Sequence, residues 1–505
     1  MNRTQKFAIN SLTAAIAQVV AMAVGFITPS IMISAYGSEI NGLVSSLHQF
    51  ITYITLVEAG IGGAAIYSLY KPLAEKNKTG INSVLSAART SYTQAGYLFS
   101  AGIFVLAIVY ALLKQSDSLS FSTIFFLTFI FGANGCCDFF LLADKRVLLT
   151  ADQKNYVISF IAIIQTVLRT AIICGLAYFK ANVVVLYALA LLPLILRIIF
   201  LFYYTKRNYT YLDKNVAPDK GALNKRWDVI YQQILGAVQT GAPSVIATFL
   251  FSLKTVSVFT VYNMVVNGIN GVLSIFLSGL PAGFGEVIAK KDTEVLKKSV
   301  SEFEVAYYYI LTIVYSLTFV LILPFISIYT KNFTDVNYYE PFFAFSIVLN
   351  GLLYNIKTPQ SMLIQSSGMY KETRYRVTIQ GILIIVCGFA LGIPFGLAGI
   401  MLGCCISNLY RVIDLLIFVP KYITHLKMSS SLLRIIRVLL SILIISIPSF
   451  IIRINFSNYL QWIIYAIVYA LYAVIVTTVS VLAFDKYEFF ALLNRFKVML
   501  FKKRG

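Results

Sequence analysis

Long apolar stretches separated by short polar connections occupy nearly the whole chain. We place fourteen of them, at 8–34, 43–70, 91–113, 121–143, 156–179, 183–204, 229–252, 256–284, 306–330, 341–365, 377–393, 397–419, 438–453 and 459–483. Each is long enough, or nearly so, to cross a hydrocarbon core about 30 Å thick. Only 12% of the 505 residues are charged, too few to cover the surface of a soluble protein of this size. The sequence therefore predicts an all-α polytopic membrane protein with about 14 transmembrane helices.

The charged residues predict how the chain is oriented. The formal net charge is +20, which by itself could suggest a nucleic-acid partner. However, most of the 41 Lys and Arg residues lie in the inner connections and the tail, whereas the outer connections are short. This asymmetry is the positive-inside pattern. We therefore expect cytoplasmic N- and C-termini and no nucleic-acid partner.

An internal repeat organises the first twelve spans. A shift of 214 residues superimposes three features, each at the same place in its series of spans: Pro29-Ser30-Ile31 on Pro243-Ser244-Val245, Leu148 and Tyr156 on Met362 and Tyr370, and Arg197 on Arg411. Six spans per half is an even number, so both halves have the same orientation. This predicts a parallel repeat about a pseudo-twofold axis normal to the membrane.

The repeat sets the expected domain boundaries. Residues 1–204 form an N-terminal six-helix lobe and 229–419 a C-terminal one, joined by a basic cytoplasmic linker at 205–228. Two further transmembrane helices follow at 420–484. The tail at 485–505 interleaves apolar and basic residues, which predicts an amphipathic helix on the anionic inner leaflet or a solvated tail.

Cationic side chains occur inside the spans, where a charge costs at least about 2.5–3.5 kcal/mol. They are Arg169, Arg197, Lys357 and Arg411, with Lys145 and Arg146 just beyond the fourth span. Few acids accompany them, which favours a cavity that receives an anion. Guanidinium groups suit phosphate because their donors are fixed and bidentate. The sequence thus predicts substrate-binding residues for a phosphate-bearing ligand.

Each cation also has a structural alternative. Arg411 and Asp414 lie three residues apart on one helix and can simply pair. Arg197, Lys145 and Arg146 can extend to the inner interface instead. Arg169 is too deep for that and has no nearby acid in sequence, so it is the strongest cavity candidate.

Two acids and two prolines complete the candidate residues. Glu58, in the middle of the second span, and Asp138, in the fourth, are candidates for ion coupling to H⁺ or Na⁺ or for structural partners of an arginine. Pro29 and Pro243 interrupt matching spans, which points to a binding site or a helix-bending element. Proline kinks also occur in membrane helices without such a role.

Signatures of catalysis are missing. There is no Gly-Lys-Ser/Thr phosphate-binding loop, and His48 and His425 sit in no nucleophile or metal arrangement. The six cysteines fall inside apolar stretches without metal-ligand spacing. We therefore expect a protein that is not an enzyme and has no cofactor or metal apart from a coupling ion.

Four short segments resemble the polysaccharide (Wzx-type) flippase family of the multidrug/oligosaccharidyl-lipid/polysaccharide (MOP) exporter superfamily. They are YGSEINGL at 36–43, LVEAGI at 56–61, YTKNFTDVNY at 329–338 and KTP at 357–359. The sequence DVNY at 335–338 is the most specific of them, and the resemblance extends over nearly the whole chain.

The resemblance implies a flippase of the bacterial plasma membrane. Such a protein moves an undecaprenyl-diphosphate-linked oligosaccharide from the inner to the outer leaflet by alternating access, for capsule or exopolysaccharide synthesis. Basic residues of a central cavity would meet the diphosphate. Membrane lipids, a polysaccharide polymerase and glycosyltransferases are the implied partners. A multidrug and toxin extrusion antiporter and a lipid II flippase are the alternatives.

Overall fold

The computed structural model describes residues 3–501 except 115–118, 214–215, 220, 222–225, 278–279, 452–455 and 457. Parts of the predicted outer connection after the third span, of the linker at 205–228 and of the tail beyond 501 lie outside the described residues. Within the described residues every regular element is helical and no strand occurs. The predicted all-α membrane fold is therefore confirmed.

The chain divides into two compact units, Met1–Ser257 and Val258–Gly505. The first contains α1 (Arg3–Ile54), a 3-10 turn (Thr55–Glu58), α2 (Ile61–Ala74), α3 (Lys78–Lys114), α4 (Phe121–Cys137), a π-helical turn (Asp138–Leu142), α5 (Ala143–Ala151), α6 (Asn155–Tyr178), α7 (Val183–Leu189), α8 (Leu192–Asn208) and α9 (Arg226–Leu250). Helix α9, which follows the predicted linker, packs against α1 in this unit. The predicted division into lobes 1–204 and 229–419 stays a prediction.

The second unit continues with helices alone. After α10 (Leu253–Leu277), which spans the boundary, it contains α11 (Leu280–Ala289), α12 (Thr293–Tyr329), α13 (Pro341–Ile356), α14 (Thr358–Ser367), α15 (Tyr370–Val419), a π-helical turn (Pro420–Thr424), α16 (Met428–Ile451), α17 (Tyr459–Phe484) and α18 (Lys486–Phe501). Helices α16 and α17 pack on α12 around an apolar cluster that includes Leu321 and Ile445.

Local chemistry explains where several helices begin. The side chains of Ser120, Asn182, Asp292 and Asn458 each accept a hydrogen bond from a backbone N–H in the first turn of α4, α7, α12 and α17. These bonds satisfy donors that the helix leaves free. Proline stands in the first turn of α8, α13 and α14, where its missing N–H costs nothing.

Glycines divide the two longest helices. Within α1, Gly37 has φ 83° and ψ 171°, and within α15, Gly396 has φ 64° and ψ −146°. A positive φ is a conformation that glycine adopts without steric cost. Each glycine lies at the predicted connection between two spans, after the first and after the eleventh.

Eleven helices of the described residues are long and apolar enough to cross a membrane. Two of these, at Ile9–Glu58 and Tyr370–Thr424, contain 50 and 55 residues and include the breaks at Gly37 and Gly396. At 1.5 Å per residue each holds roughly 75–83 Å of helix, more than twice the hydrocarbon thickness, so each is long enough for two crossings joined at its glycine. The tenth predicted span is divided between α13 and α14, each too short alone. The exact count of fourteen stays a prediction.

The thirteenth span, predicted at 438–453, begins too late. Helix α16 starts at Met428 and includes Arg434 and Arg437, both buried. Arg434 bonds Glu304 of α12 at 2.8 Å and Asp485 at 3.0 Å, and Arg437 pairs with Asp485. Because these acids lie far away in sequence, the two arginines resembled solvated residues. The tail forms helix α18, and its predicted position at the inner leaflet stays a prediction.

Candidate functional site

A cavity of about 440 Å³ lies inside the first unit, between both segments of α1 and helices α4, α6, α7 and α8. A second cavity of about 220 Å³ adjoins it. Five residues line both: His48, Asn134, Gln165, Arg169 and Tyr187. The two cavities therefore adjoin each other and share these polar lining residues.

Helical periodicity brings the lining residues to this space. On α6 the residues that face it are Ala162, Gln165, Thr166, Arg169, Thr170 and Ile173. Their spacing of three and four residues is that of one helix face. On the first segment of α1, Gly25 has no atom within 4 Å of the position that a Cβ would occupy. A small residue at Gly25 thus helps to keep the space open.

Arg169 has no acidic partner. Its guanidinium makes no hydrogen bond or ion pair with any residue that the structure describes. Three further lining atoms, Thr28 Oγ1, Asn134 Oδ1 and Tyr187 Oη, are buried without a hydrogen bond from a described residue. Buried polar atoms normally have partners, in protein or water. The cavity is therefore suited to a polar, negatively charged occupant that both accepts and donates hydrogen bonds.

Arg197 also lines the larger cavity, but it is paired. Its Nη2 lies 3.1 Å from Asp138 Oδ1, which lines the smaller cavity, and its Nη1 donates to Gln165 Oε1 at 3.3 Å. Arg197 and Asp138 thus form an ion pair, in which the acid acts as the structural partner of the arginine. Arg197 is only partly available to a ligand unless Asp138 finds another partner.

Glu58 and Arg146 extend this pair away from the cavity. Arg146 Nη2 lies 3.6 Å from Glu58 Oε2, and its Nη1 lies 3.9 Å from Asp138 Oδ2. Glu58, which the sequence places in the middle of the second span, ends the 3-10 turn between α1 and α2. Gly60, at φ 79°, interrupts the helix there. Of the glycines after Glu58, Gly60 forms the break, whereas Gly62 lies inside α2, where a Cβ would come within 2.8 Å of the Tyr92 hydroxyl of α3.

Lys145 is compensated locally. Its Nζ lies 2.9 Å from Asp144 Oδ1 and 3.8 Å from the ring centroid of Phe202. Asp144 also bonds Arg89 Nη2 at 3.0 Å. The structure does not bring Lys145 to the cavity lining with Arg169.

In the second unit Lys357 is buried, with 6% of its surface exposed, among neutral amides. Its Nζ donates to Asn408 Oδ1 at 2.7 Å and lies 4.7 Å from the ring centroid of Tyr354. Asn408 in turn donates to Asn350 at 2.9 Å, and Gln380 donates to Asn408 at 3.3 Å. Lys357 has no ion pair with any described acid, so its charge is solvated by dipoles but not neutralised.

Arg411, the repeat-related counterpart of Arg197, pairs with Asp414 of its own helix. Arg376, one antiparallel segment away, pairs with the other oxygen of Asp414. The three-residue spacing on α15 thus produces the ion pair that its sequence allows. The sequence analysis missed Arg376, which acquires its role only because α15 folds back at Gly396.

Pro29 and Pro243 both lie inside continuous helices, α1 and α9. Pro29 lines the larger cavity. Bending at either proline stays a prediction. Asn134 and Tyr187 were also missed, because a single polar residue in an apolar span does not reveal which face it occupies. Gln165 could have been predicted to line the cavity, since it lies four residues before Arg169 on the same helix face.

No group of His, Cys, Asp and Glu residues in the described part of the chain could hold a metal ion. The cavity therefore offers a single uncompensated guanidinium, hydroxyl groups and amides. This set suits the binding of an oxyanion rather than coordination of a transition metal.

Comparisons with known proteins establish the fold. No family model and no curated protein matches the chain. Among solved structures, the chain is similar to an inward-facing multidrug resistance MATE family transporter of the MOP superfamily, at 14% identity and a TM-score of 0.63, covering 83% of this chain and 98% of that chain. It is also similar to the lipid II flippase MurJ in an inward closed conformation, at 14% identity and a TM-score of 0.61, covering 92% and 98%. An outward-facing MATE transporter matches at 12% identity and a TM-score of 0.55. The chain is therefore a multi-pass membrane protein with the fold that these MOP-superfamily transporters and flippases share.

Proposed function

We propose that this protein is a flippase for an undecaprenyl-diphosphate-linked oligosaccharide, which it moves from the inner to the outer leaflet of a bacterial plasma membrane by alternating access. The observation that carries the proposal is Arg169, an unpaired guanidinium facing a 440 Å³ cavity. Holding an unused charge at membrane depth is costly, so such a residue is usually functional. The resemblance of segments 36–43 and 335–338 to polysaccharide flippases supports the same cargo.

The cations differ in how free they are to meet a diphosphate. Arg169 and Lys357 have no acidic partner among the described residues, so they are the primary contacts that we propose. Arg197 and Arg411 are neutralised by Asp138 and Asp414 and would bind a phosphate only by exchanging partners. Lys145 and Arg146 are likewise paired and would act indirectly.

The cellular context follows from the cargo. Glycosyltransferases would build the lipid-linked glycan on the cytoplasmic side, where we place both termini, and a polymerase would use it on the outer side. An H⁺ or Na⁺ gradient would supply the drive. Neither capsule nor exopolysaccharide is favoured over the other by the cavity chemistry.

The multidrug antiporter alternative rests on the shared fold and on one residue. Asp138 lines the smaller cavity, and a carboxylate there could attract a cationic drug. Arg197 already occupies that carboxylate, however, and Arg169 would repel a cation in the same space. A lipid II flippase has the same phosphate chemistry as our proposal and differs only in the glycan.

The test begins with a deletion strain whose glycosyltransferases are intact. We expect undecaprenyl-diphosphate glycan to accumulate and surface polymer to disappear, with the mass of the accumulated lipid identifying the cargo. Complementation with Arg169→Gln should leave insertion intact and abolish export, because the uncompensated charge is removed. Lys76→Gln, in the exposed turn after α2, is the matched control and should restore export fully.

A normal lipid pool together with normal surface polymer would refute the flippase assignment. Drug sensitivity of the deletion strain under the same conditions would favour the antiporter instead. Accumulation of lipid II, rather than of a surface-polymer repeat, would identify the peptidoglycan precursor as cargo.

A further inference from the structure

Four charged side chains of alternating sign form a chain that leads from the larger cavity to the break between α1 and α2. Arg197 lies 3.1 Å from Asp138, Asp138 lies 3.9 Å from Arg146, and Arg146 lies 3.6 Å from Glu58. Each member comes from a different element, namely α8, the π-helical turn, α5 and the 3-10 turn. The four charges sum to zero, so the chain is balanced only as long as nothing else binds Arg197.

The contacts in this chain are loosely held. Arg146 is nearly equidistant from its two acids. Asp138 Oδ1, Arg146 Nε and Arg197 Nε are buried without a hydrogen bond from any described residue. Two of the three contacts exceed hydrogen-bond length, so moving a partner breaks no well-aligned bond. The arrangement therefore permits Arg146 to shift from Glu58 to Asp138.

We propose that binding of an oxyanion at Arg169 and Arg197 is coupled to uptake of one proton by Glu58. The inference rests on the proposed function in taking the ligand of the cavity to be an oxyanion. A ligand oxygen replaces Asp138 at Arg197, Asp138 takes Arg146 as its partner, and Glu58 is left without a counter-charge. The Glu58 carboxylate then accepts one proton from the solvent. The four residues together now carry a charge of +1, which compensates one negative charge of the ligand.

The surroundings of Glu58 offer no substitute counter-charge among the described residues. Tyr92 of α3 is the other titratable group that interacts with Glu58, and its phenol carries no positive charge. From α9, the neutral Gln233 accepts a hydrogen bond from Gly60 N at 3.2 Å. The nearby cations of the Asp144 cluster, Arg89 and Lys145, are held by that acid.

The exposed fractions place the proton entry at the Glu58 end. The side chain of Arg197 is 11% exposed and that of Asp138 is 21% exposed, whereas Arg146 and Glu58 are 29% and 33% exposed. Glu58 is therefore the less enclosed of the two acids. The break formed by the 3-10 turn and Gly60 leaves Glu58 outside a regular helix, where its side chain can reorient.

The experiment measures anion affinity as a function of pH on the purified full-length protein. Sulfate is the first probe, because its charge does not change between about pH 6 and 8, so any pH dependence belongs to the protein. Farnesyl diphosphate is the second probe and reports whether a lipid headgroup is preferred over a free oxyanion. We expect wild-type affinity for sulfate to fall by up to about tenfold for each unit by which the pH is raised. This is the limit for one linked proton.

Variants separate the coupling from the binding. Glu58→Gln should bind sulfate with an affinity that no longer depends on pH, whereas Glu58→Asp, which keeps a carboxylate, should retain the dependence. Glu75→Gln removes an exposed acid at the end of α2 and should behave as wild type. Calorimetry in two buffers of different ionisation enthalpy should count one proton for wild type and none for Glu58→Gln.

Three results would overturn the inference, and they are distinguishable. If wild type binds sulfate without pH dependence, the coupling is wrong, and binding of farnesyl diphosphate would leave the proposed function standing. If Glu58→Gln and wild type share one pH profile, another group takes the proton. If neither probe binds and Arg169→Gln changes nothing, the oxyanion site and the proposed function fail together.

Discussion

Two repeat-related arginines, one in each unit, have different partners. Arg197 pairs with an acid on a neighbouring element beside a cavity, and that acid has a second arginine nearby. Arg411 pairs with Asp414 on its own helix, where Arg376 also binds. Arg197 is therefore part of an exchangeable chain, whereas Arg411 belongs to a closed cluster. One sequence position in the predicted repeat thus has an exchangeable partner in one unit and a fixed partner in the other.

Arg169 and Lys357, the cations that we propose as primary contacts, also differ in how accessible they are to a ligand. Arg169 faces open space with unpaired polar atoms around it, whereas Lys357 is enclosed by the amides of Asn350, Asn408 and Gln380. A guanidinium in a cavity can meet a ligand without rearrangement. An enclosed ammonium must first leave its amide partner. We infer that Arg169 binds an anion more readily than Lys357 does.

The largest effect should come from opening the closed cluster. Asp414→Asn removes the acid shared by Arg376 and Arg411 and leaves a buried guanidinium, 5% exposed, without a counter-charge. Removing one partner of a buried ion pair costs about 3–5 kcal/mol. We expect the free energy of unfolding in detergent to fall by about that amount, measured by thermal or denaturant unfolding of the purified protein.

The matched variant in the first unit is Asp138→Asn. Arg197 keeps its hydrogen bond to Gln165 and faces a cavity that admits water, so the destabilisation should be less than half that of Asp414→Asn. Affinity for sulfate should rise, since the internal competitor for Arg197 is removed. Equal destabilisation by the two variants would contradict the distinction between an exchangeable and a closed pair.

A smaller effect on stability is expected at Lys357. Lys357→Met replaces a buried ammonium by an apolar chain of similar length, and Asn408 Oδ1 keeps its hydrogen bond from Gln380. The replacement removes the cost of burying an uncompensated charge. We expect an unfolding free energy that is unchanged or higher, together with reduced export of the lipid-linked glycan. Lys357→Arg, which keeps the charge, should export better than Lys357→Met.

Normal export by a stable Lys357→Met protein would give the lysine a packing role only. A large loss of stability would have the same meaning, because the amide cluster would then need the ammonium to hold it together. Only a stable protein that has lost export supports a role for the charge of Lys357 in transport.

The sequence predicted the membrane class and the helical fold because hydrophobic length depends on composition alone. It also predicted that Arg169 faces a cavity, since no acid lies near it along the chain. The partners of Arg197 and Arg146 could not be predicted in the same way. Asp138 and Glu58 were recognised as acids, but which arginine meets which acid depends on packing between helices that lie far apart in sequence.

The start of α16 could not be predicted from the sequence, because tertiary ion pairs make a polar segment part of this helix. Arg434 and Arg437 look like the end of a connection until Glu304 and Asp485 are brought beside them. The break after Glu58 was not predicted for a different reason, because an apolar stretch conceals the turn that Gly60 introduces. Hydrophobicity predicts that a segment enters the membrane and does not predict where its helix is interrupted.

The smallest expected effect concerns a contact that only the first unit has. Asp152, between α5 and α6, binds Lys6 of α1, Lys154 and the hydroxyl of Tyr209, whereas the repeat-related position in the second unit is Ser366. Burial alone would raise the pKa of Asp152, but hydrogen bonds from Lys154 and Tyr209 and the charges of the two lysines outweigh it and hold the pKa below its usual value. The carboxylate therefore stabilises the fold above the unfolded pKa of about 3.9, and this contribution is lost as the pH falls through the lower folded value.

Because Asp152 is partly exposed, the contribution should be no more than about 1 kcal/mol. Asp152→Asn should thus unfold slightly more easily than wild type at pH 6, and the difference should shrink as the pH is lowered below about 4. Ser366→Ala at the corresponding position of the second unit removes only a hydroxyl bonded to its own helix and should show no such pH dependence. A difference between Asp152→Asn and wild type that persists unchanged at low pH would mean that Asp152 acts through packing rather than charge. The ion pair would then contribute nothing to the stability of the first unit.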